Sequence, residues 1–240
     1  MPRLGASRRL VTAATWPVGV TWTSWSYVWR TTPVHRRERP GSLGADMPPP
    51  LAGEVSWDGI QFPDDGAGPL FHRTYTGVIE DGTRRAGDLI ERLGEDPNRV
   101  APLKLARFQK TRGPEWRMQV GDEYLVHMPG PWDGPIRTVE VTPRSFRFAT
   151  LDGHLEAGQI EWSADDVDGQ LEFRVQSWSR SGDRLSAFMH DRLLMAKEVQ
   201  LYMWTSVVEQ VAKAAGGRLV GGVDVDTRRI EPDAFPGPAS

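Results

Sequence analysis

Phe148-Ala149-Thr150-Leu151-Asp152-Gly153-His154-Leu155-Glu156-Ala157-Gly158-Gln159-Ile160-Glu161-Trp162 is the stretch whose reading decides the fold class of this chain. It reads as a strand, a tight turn at Asp152-Gly153 and a second strand. Downstream, the pattern predicts a third strand over 170–179 and one long helix over 183–215. Strands joined by such short turns pair antiparallel. A strand meander closed by a long helix buries the helix stripe against one face of the sheet. The expected class is therefore α+β, a curved antiparallel sheet wrapped around a long C-terminal helix, with an apolar interior suited to holding a ligand.

Working outward, strands are expected over 70–80, 117–128, 136–142 and 145–151. Turn residues at Gly121-Asp122, Pro143-Arg144 and Asp168-Gly169 separate or interrupt them. A short helix over 83–93 has Leu89, Ile90 and Leu93 as its apolar face and Gly94 as its stop. Residues 100–110 read equally as helix or irregular chain. In the long helix, Asp183 suits the N-cap, and Leu185, Phe188, Met189, Met195, Val199, Met203, Val207 and Val211 trace one stripe until Gly216-Gly217 ends it. Its methionines could line an irregular cavity or simply fill the core. Leu219, Val220, Val223 and Val225 suggest a late strand, and 231–240 reads as a disordered tail.

At the other end, Val18, Trp22, Trp25 and Trp29 fall on one face of a helix over 18–30, which Thr32-Pro33 terminates. This gives the chain an N-terminal helical extension over 1–33. Three fates suit such a helix: lying on a membrane surface, packing on its own domain, or closing a homodimer. Arginines 8, 9, 30, 36 and 37 flank it. Pro17 and Gly19 break the apolar run, and no small-residue cleavage site follows, so a cleaved signal is not expected. Residues 34–69, with Pro48-Pro49-Pro50, read as a Pro/Gly-rich linker holding an extended segment near 55–60. The main domain is then 70–230.

Composition narrows the function classes. Of 240 residues, 39% are hydrophobic and 25% charged, an ordinary globular balance. A net charge of −3 gives no pull toward nucleic acid. The absence of cysteine excludes disulfides, thiolate metal sites and cysteine nucleophiles, and fits a reducing, cytoplasmic setting. No run reaches the roughly 18 apolar residues of a membrane span. The five histidines show no metal-ligand spacing, and neither a phosphate-binding glycine loop nor a Gly-x-Ser-x-Gly elbow occurs. No metal or cofactor is therefore expected.

The blocks Asp152-Gly153-His154-Leu155-Glu156-Ala157-Gly158 and Ser177-Trp178-Ser179-Arg180, with Arg192, Met195, Ala196 and Lys197 on the helix, resemble the family catalogued as domain of unknown function nineteen-ninety. The likeness runs roughly over 71–215. Thr23 to Pro33, Val120 to Tyr124 and Met128 to Pro135 resemble a longer bacterial branch of that family. The resemblance implies the helix-grip fold of the START and pollen-allergen ligand binders, and it implies no particular reaction.

Candidate site residues follow from the pattern. His154 and Glu156 share a strand face with Ile160 and Trp162; if that face is inward, they could form a general base and its orienting carboxylate. A bulge at Ala157-Gly158 would instead turn the pair outward. Tyr124, Trp162, Met195 and Met203 are candidates for lining a cavity, and Trp132, in a Pro/Gly-rich loop, for covering it. Asp122, Glu123 and Asp133 are further carboxylates near Tyr124 and that loop. Arg180 and Arg184, beside the start of the long helix, could meet an anionic head group. Trp22, Trp25 and Trp29 are the candidates for membrane or partner contact. Three functions stay open at this point: a binder of a small hydrophobic or amphipathic molecule, an enzyme using His154 and Glu156 in the same cavity, and a docking protein using the N-terminal helix.

Overall fold

The computed structural model describes residues 32–53, 55–128, 133–182 and 190–235, with 190–199 as backbone alone. The N-terminal helix with Trp22, Trp25 and Trp29 lies outside the described residues, as do Trp132, Asp183 and Arg184.

Eleven main elements follow in order: β1 (Val34–Pro40), β2 (Ala67–Glu80), α1 (Ala86–Glu95), β3 (Arg107–Arg112), β4 (Glu123–His127), β5 (Asp133–Val141), β6 (Ser145–Thr150), β7 (Glu156–Val167), β8 (Gln170–Ser181), α2 (His190–Ala214) and β9 (Arg218–Ile230). Among the described residues the strands form one curved sheet in the order β1-β9-β2-β8-β7-β6-β5-β4-β3. All neighbours pair antiparallel except β1, which runs parallel to β9. The sheet is thus mixed where the meander predicted a purely antiparallel one. The exception comes from the stretch read as linker, whose first seven residues add to the sheet edge.

Local chemistry explains the meander. At Asp168-Gly169 both residues have positive φ, 49° and 81°, and they join Val167 to its partner Gln170. This is the two-residue turn whose twist matches that of the flanking strands. Pairing of β7 with β8 then runs unbroken from Glu156 opposite Ser181 to Val167 opposite Gln170. No bulge interrupts it at Ala157-Gly158. Because the side-chain period is two, this register puts Glu156, Gly158, Ile160, Trp162 and Ala164 on one face.

That face is concave and meets α2. A large core cluster fills its far half: Trp162 touches Phe108, Phe146, Phe173 and Trp204 at ring-centroid distances of 5.4–6.3 Å. On α2 the buried line runs through Leu201, Trp204, Val208 and Val211, and continues to Ala215 just beyond it. Met203, on the expected stripe, is only partly buried against it. The helix ends at Gly216 (φ 74°), where Gly216 N–H donates to Lys213 O and Gly217 N–H to Ala212 O, both at 3.0 Å.

A second, smaller core covers the convex face, where Val55 and Ile60 pack on Val139, Ala149 and Leu151. Residues 41–62 therefore form a strap on the domain and not a free linker. Three consecutive prolines offer carbonyls without N–H donors, and the sheet supplies the donors. Arg147 bonds the carbonyls of Pro49 and Pro50 at 3.3 Å each, and Arg137 bonds those of Ser56 and Asp58 at 2.9 and 2.8 Å. The expected strand over 117–128 shrinks to β4, because Lys110 Nζ gathers the Pro114 and Arg117 carbonyls into a loop. Residues 107–112 are strand β3, which the reading as helix or irregular chain missed. The start of the expected tail is ordered too: Pro232–Ala234 make a 3-10 turn, and the Phe235 ring lies 4.0 Å from the Arg180 guanidinium. Among the described residues no helix is long and apolar enough to cross a membrane.

At Gly158 the neighbouring strand comes so close that an added methyl would sit 1.8 Å from Trp178 O. Backbone cannot yield as a flexible side chain does. Gly158→Ala is expected to destabilise the protein by roughly 2–3 kcal/mol, lowering Tm by about 5–10 °C. Gly44→Ala, with open space around it, should leave Tm unchanged. Equal melting curves for the two variants would contradict this register.

Candidate functional site

Along the concave face, inward positions change character from one end to the other. At the α1 end they are large and apolar: Phe173 and Val175 on β8, Ile79 and Tyr75 on β2, Trp162 on β7. Toward the other end they become Ser177 and Ser179 on β8, Arg73 and Phe71 on β2, and Gly158 and Glu156 on β7. Apart from Phe71, small or polar side chains thus replace large apolar ones at that end. Ile160 records the consequence. It sits mid-strand between Phe148 on β6 and Ser177 on β8, facing inward, yet it is only partly buried, whereas Trp162 two residues on is 1% exposed.

A polar relay crosses this open end. Gln200, on α2, accepts a hydrogen bond from Arg73 at 3.0 Å and donates one to the Glu156 carboxylate at 2.5 Å. Glu156 thus faces inward with Ile160 and Trp162, but its carboxylate is not the partner of His154. The imidazole Nδ1 instead lies 2.9 Å from the Glu156 main-chain nitrogen and 3.1 Å from the Glu156 main-chain oxygen. The ring packs over Gly134, where an added methyl would lie 2.7 Å from Nε2. Desolvation pulls the His154 imidazole below the ordinary histidine range, while the nearby Glu156 charge opposes that shift. The pair expected as base and orienting carboxylate is therefore a neutral histidine, locked by backbone, beside a carboxylate held by an amide.

The other candidates are dispersed. Tyr124 and Trp162 belong to the packed half, linked through Phe108 and Phe148. The Tyr124 hydroxyl has no hydrogen-bond partner among the described residues, and burial, then the Asp122 and Asp96 charges, push its pKa upward. Arg180 is a correction. Its register opposite Ala157 puts it on the convex face, where it bonds the Gly68 and Pro63 carbonyls at 2.9 and 3.1 Å. It fastens chain to chain and faces away from the interior. The three remaining carboxylates have structural partners: Asp122 with Lys110 at 2.8 Å, Glu123 with Arg137 at 2.8 Å, Asp133 with His127 at 2.9 Å. For Met195 the side chain is not among the described atoms.

Sequence reasoning missed Arg73, Ser177, Ser179 and Gln200. A signal for Arg73 was present: Phe71, Arg73 and Tyr75 alternate on one strand face, and an arginine between two aromatics on an apolar face calls for a reason.

The histidine carries a pH test. Unfolded, its pKa returns to about 6.5, so below that pH the unfolded chain binds a proton that the folded chain resists. Folding stability is then lost as pH falls from about 7.5 through 6.5 toward the lower folded value. His154→Asn keeps an acceptor for the Glu156 N–H and cannot titrate. The gap in Tm between wild type and this variant should shift in favour of the variant from pH 7.5 to 5.5, and parallel profiles would contradict the assignment.

No family model matches the chain, and no curated protein matches it. Solved structures that align with it include Ara h 8.0201, at 8% identity and TM-score 0.39 over 60% of this chain and 97% of that one. A norcoclaurine synthase point mutant of Thalictrum flavum, in complex with a transition-state analogue, aligns at 7% identity and TM-score 0.44 over 62% and 98%. Protein Ms6760 of Mycobacterium smegmatis aligns at 13% identity and TM-score 0.40 over 70% and 98%. Likeness at this level assigns no ligand, so the functional reading stands on the site itself.

Proposed function

We propose that this protein binds a small amphipathic molecule between the concave sheet face and α2, as a divergent helix-grip domain of the kind implied by its resemblance to domain of unknown function nineteen-ninety. The observation that carries the reading is Ile160, an inward-facing residue in the middle of the sheet to which solvent still has access. The aromatic wall of Trp162 and Phe148 suits the apolar part of such a molecule. The relay of Arg73, Gln200 and Glu156 and the His154 ring offer polar contacts at the mouth. Few polar groups beside an apolar wall are the usual composition of a small-molecule site.

The test uses N-phenyl-1-naphthylamine, a neutral apolar dye that brightens on leaving water. Wild type should bind it saturably. Ile160→Trp should keep the wild-type Tm within about 3 °C, because the added ring enters open space, and should weaken dye binding at least about tenfold. A variant that unfolds would mean a filled interior, and unchanged dye binding would place the dye elsewhere; either result overturns the proposal.

A further inference from the structure

Four arginines are buried among the described residues: Arg73, Arg137, Arg147 and Arg180. Three of them lie on the convex face, and each divides its N–H groups among several acceptors. Arg137 bonds Glu123 and two carbonyls, Arg147 bonds two carbonyls and pairs with Glu140, and Arg180 bonds two carbonyls beneath the Phe235 ring. Arg73 is the exception in both respects. It faces the interior, and among the described residues its one hydrogen-bond acceptor is the Gln200 amide.

A guanidinium has five N–H donors in a planar fork. A buried charge of that kind normally takes a carboxylate partner. Here Gln200 stands between Arg73 and the carboxylate of Glu156, using its oxygen on Arg73 and its nitrogen on Glu156. The interposed amide holds both side chains in place and leaves most of the fork unused. The Phe71 ring, 4.4 Å from the guanidinium carbon, fixes its plane. Ser177 lies directly opposite Arg73 across the β2–β8 ladder, and its hydroxyl has no partner among the described residues. Side chains so paired have Cβ atoms about 5 Å apart, so the hydroxyl shares the interior face with the base of the arginine side chain.

We infer that Arg73 and Ser177 form the recognition point for the carboxylate of an amphipathic organic acid, whose apolar body extends past Ile160 toward Trp162. The inference rests on the cavity reading proposed above and names the chemical class of its ligand. A carboxylate matches the planar fork with two parallel hydrogen bonds, which a single hydroxyl cannot do. Glu156, kept beyond the amide, does not compete for the fork.

The experiment displaces bound N-phenyl-1-naphthylamine from the full chain at pH 8 with dodecanoate or dodecan-1-ol, which share an alkyl chain and differ in the head group. Dodecanoate should displace the dye at a concentration at least about tenfold lower. In R73Q the two should become equal within about twofold through loss of dodecanoate affinity alone. Equal displacement from wild type overturns the inference and leaves the cavity reading standing. A preference that survives in R73Q overturns it as well. Absence of any dye binding overturns the cavity reading and this inference with it. The wild-type comparison decides the matter on its own if R73Q does not fold.

Discussion

How closely α2 approaches β2 governs the interior. At Gly77 the strand has no side chain, and a methyl there would lie 2.3 Å from Val208 Cγ1, so the C-terminal part of the helix rests almost on the backbone of the sheet. Four residues earlier on the same strand face, about 13 Å along the strand, Arg73 and Gln200 meet through the tips of two long side chains. The helix is seated at one point and held off at the other. Between these two separations the lining changes from a close-packed aromatic cluster to polar side chains, with Ile160 only partly buried at the junction. Packing density cannot be kept at the propped end with Ser177, Ser179 and Gly158 on the sheet.

The convex face solves the opposite problem. A sheet with apolar residues on both faces needs cover on both, and here one cover is a helix and the other a proline-rich strap. The strap brings carbonyls in excess of N–H groups, and buried arginines from the sheet answer them. This division explains why arginines so alike in burial differ so much in their partners. Those beneath the strap divide between main-chain carbonyls and a carboxylate, whereas the one beneath the helix meets an amide with no charge of its own.

Much of the architecture was legible in local chemistry. Asp168-Gly169, the β6–β7 alternation and the Gly216 stop each depend on neighbours within a few residues, and the elements stand within a few positions of where these signals placed them. What escaped was set by distant partners. The linker composition of 34–69 conceals a strand that pairs with β9 and a strap held by Arg137 and Arg147, contacts that no local pattern encodes. At the site, the alternation from Glu156 to Trp162 indicated which way Glu156 faces. It could not show that Gln200 would take the carboxylate and the backbone would take His154, because both outcomes depend on how the helix lies across the strands.

The parallel pairing of β1 with β9 has a bearing on synthesis. Val34 leaves the ribosome well before its partner Val223. At about 5–20 residues per second, the first strand waits roughly 10–40 s for its neighbour to exist. Through that interval the outer edge of β2, where β9 will later pair, stands open as well. The exposed charges of β1, Arg36-Arg37-Glu38-Arg39, are the kind of edge chemistry that discourages strands of other nascent chains from pairing there first.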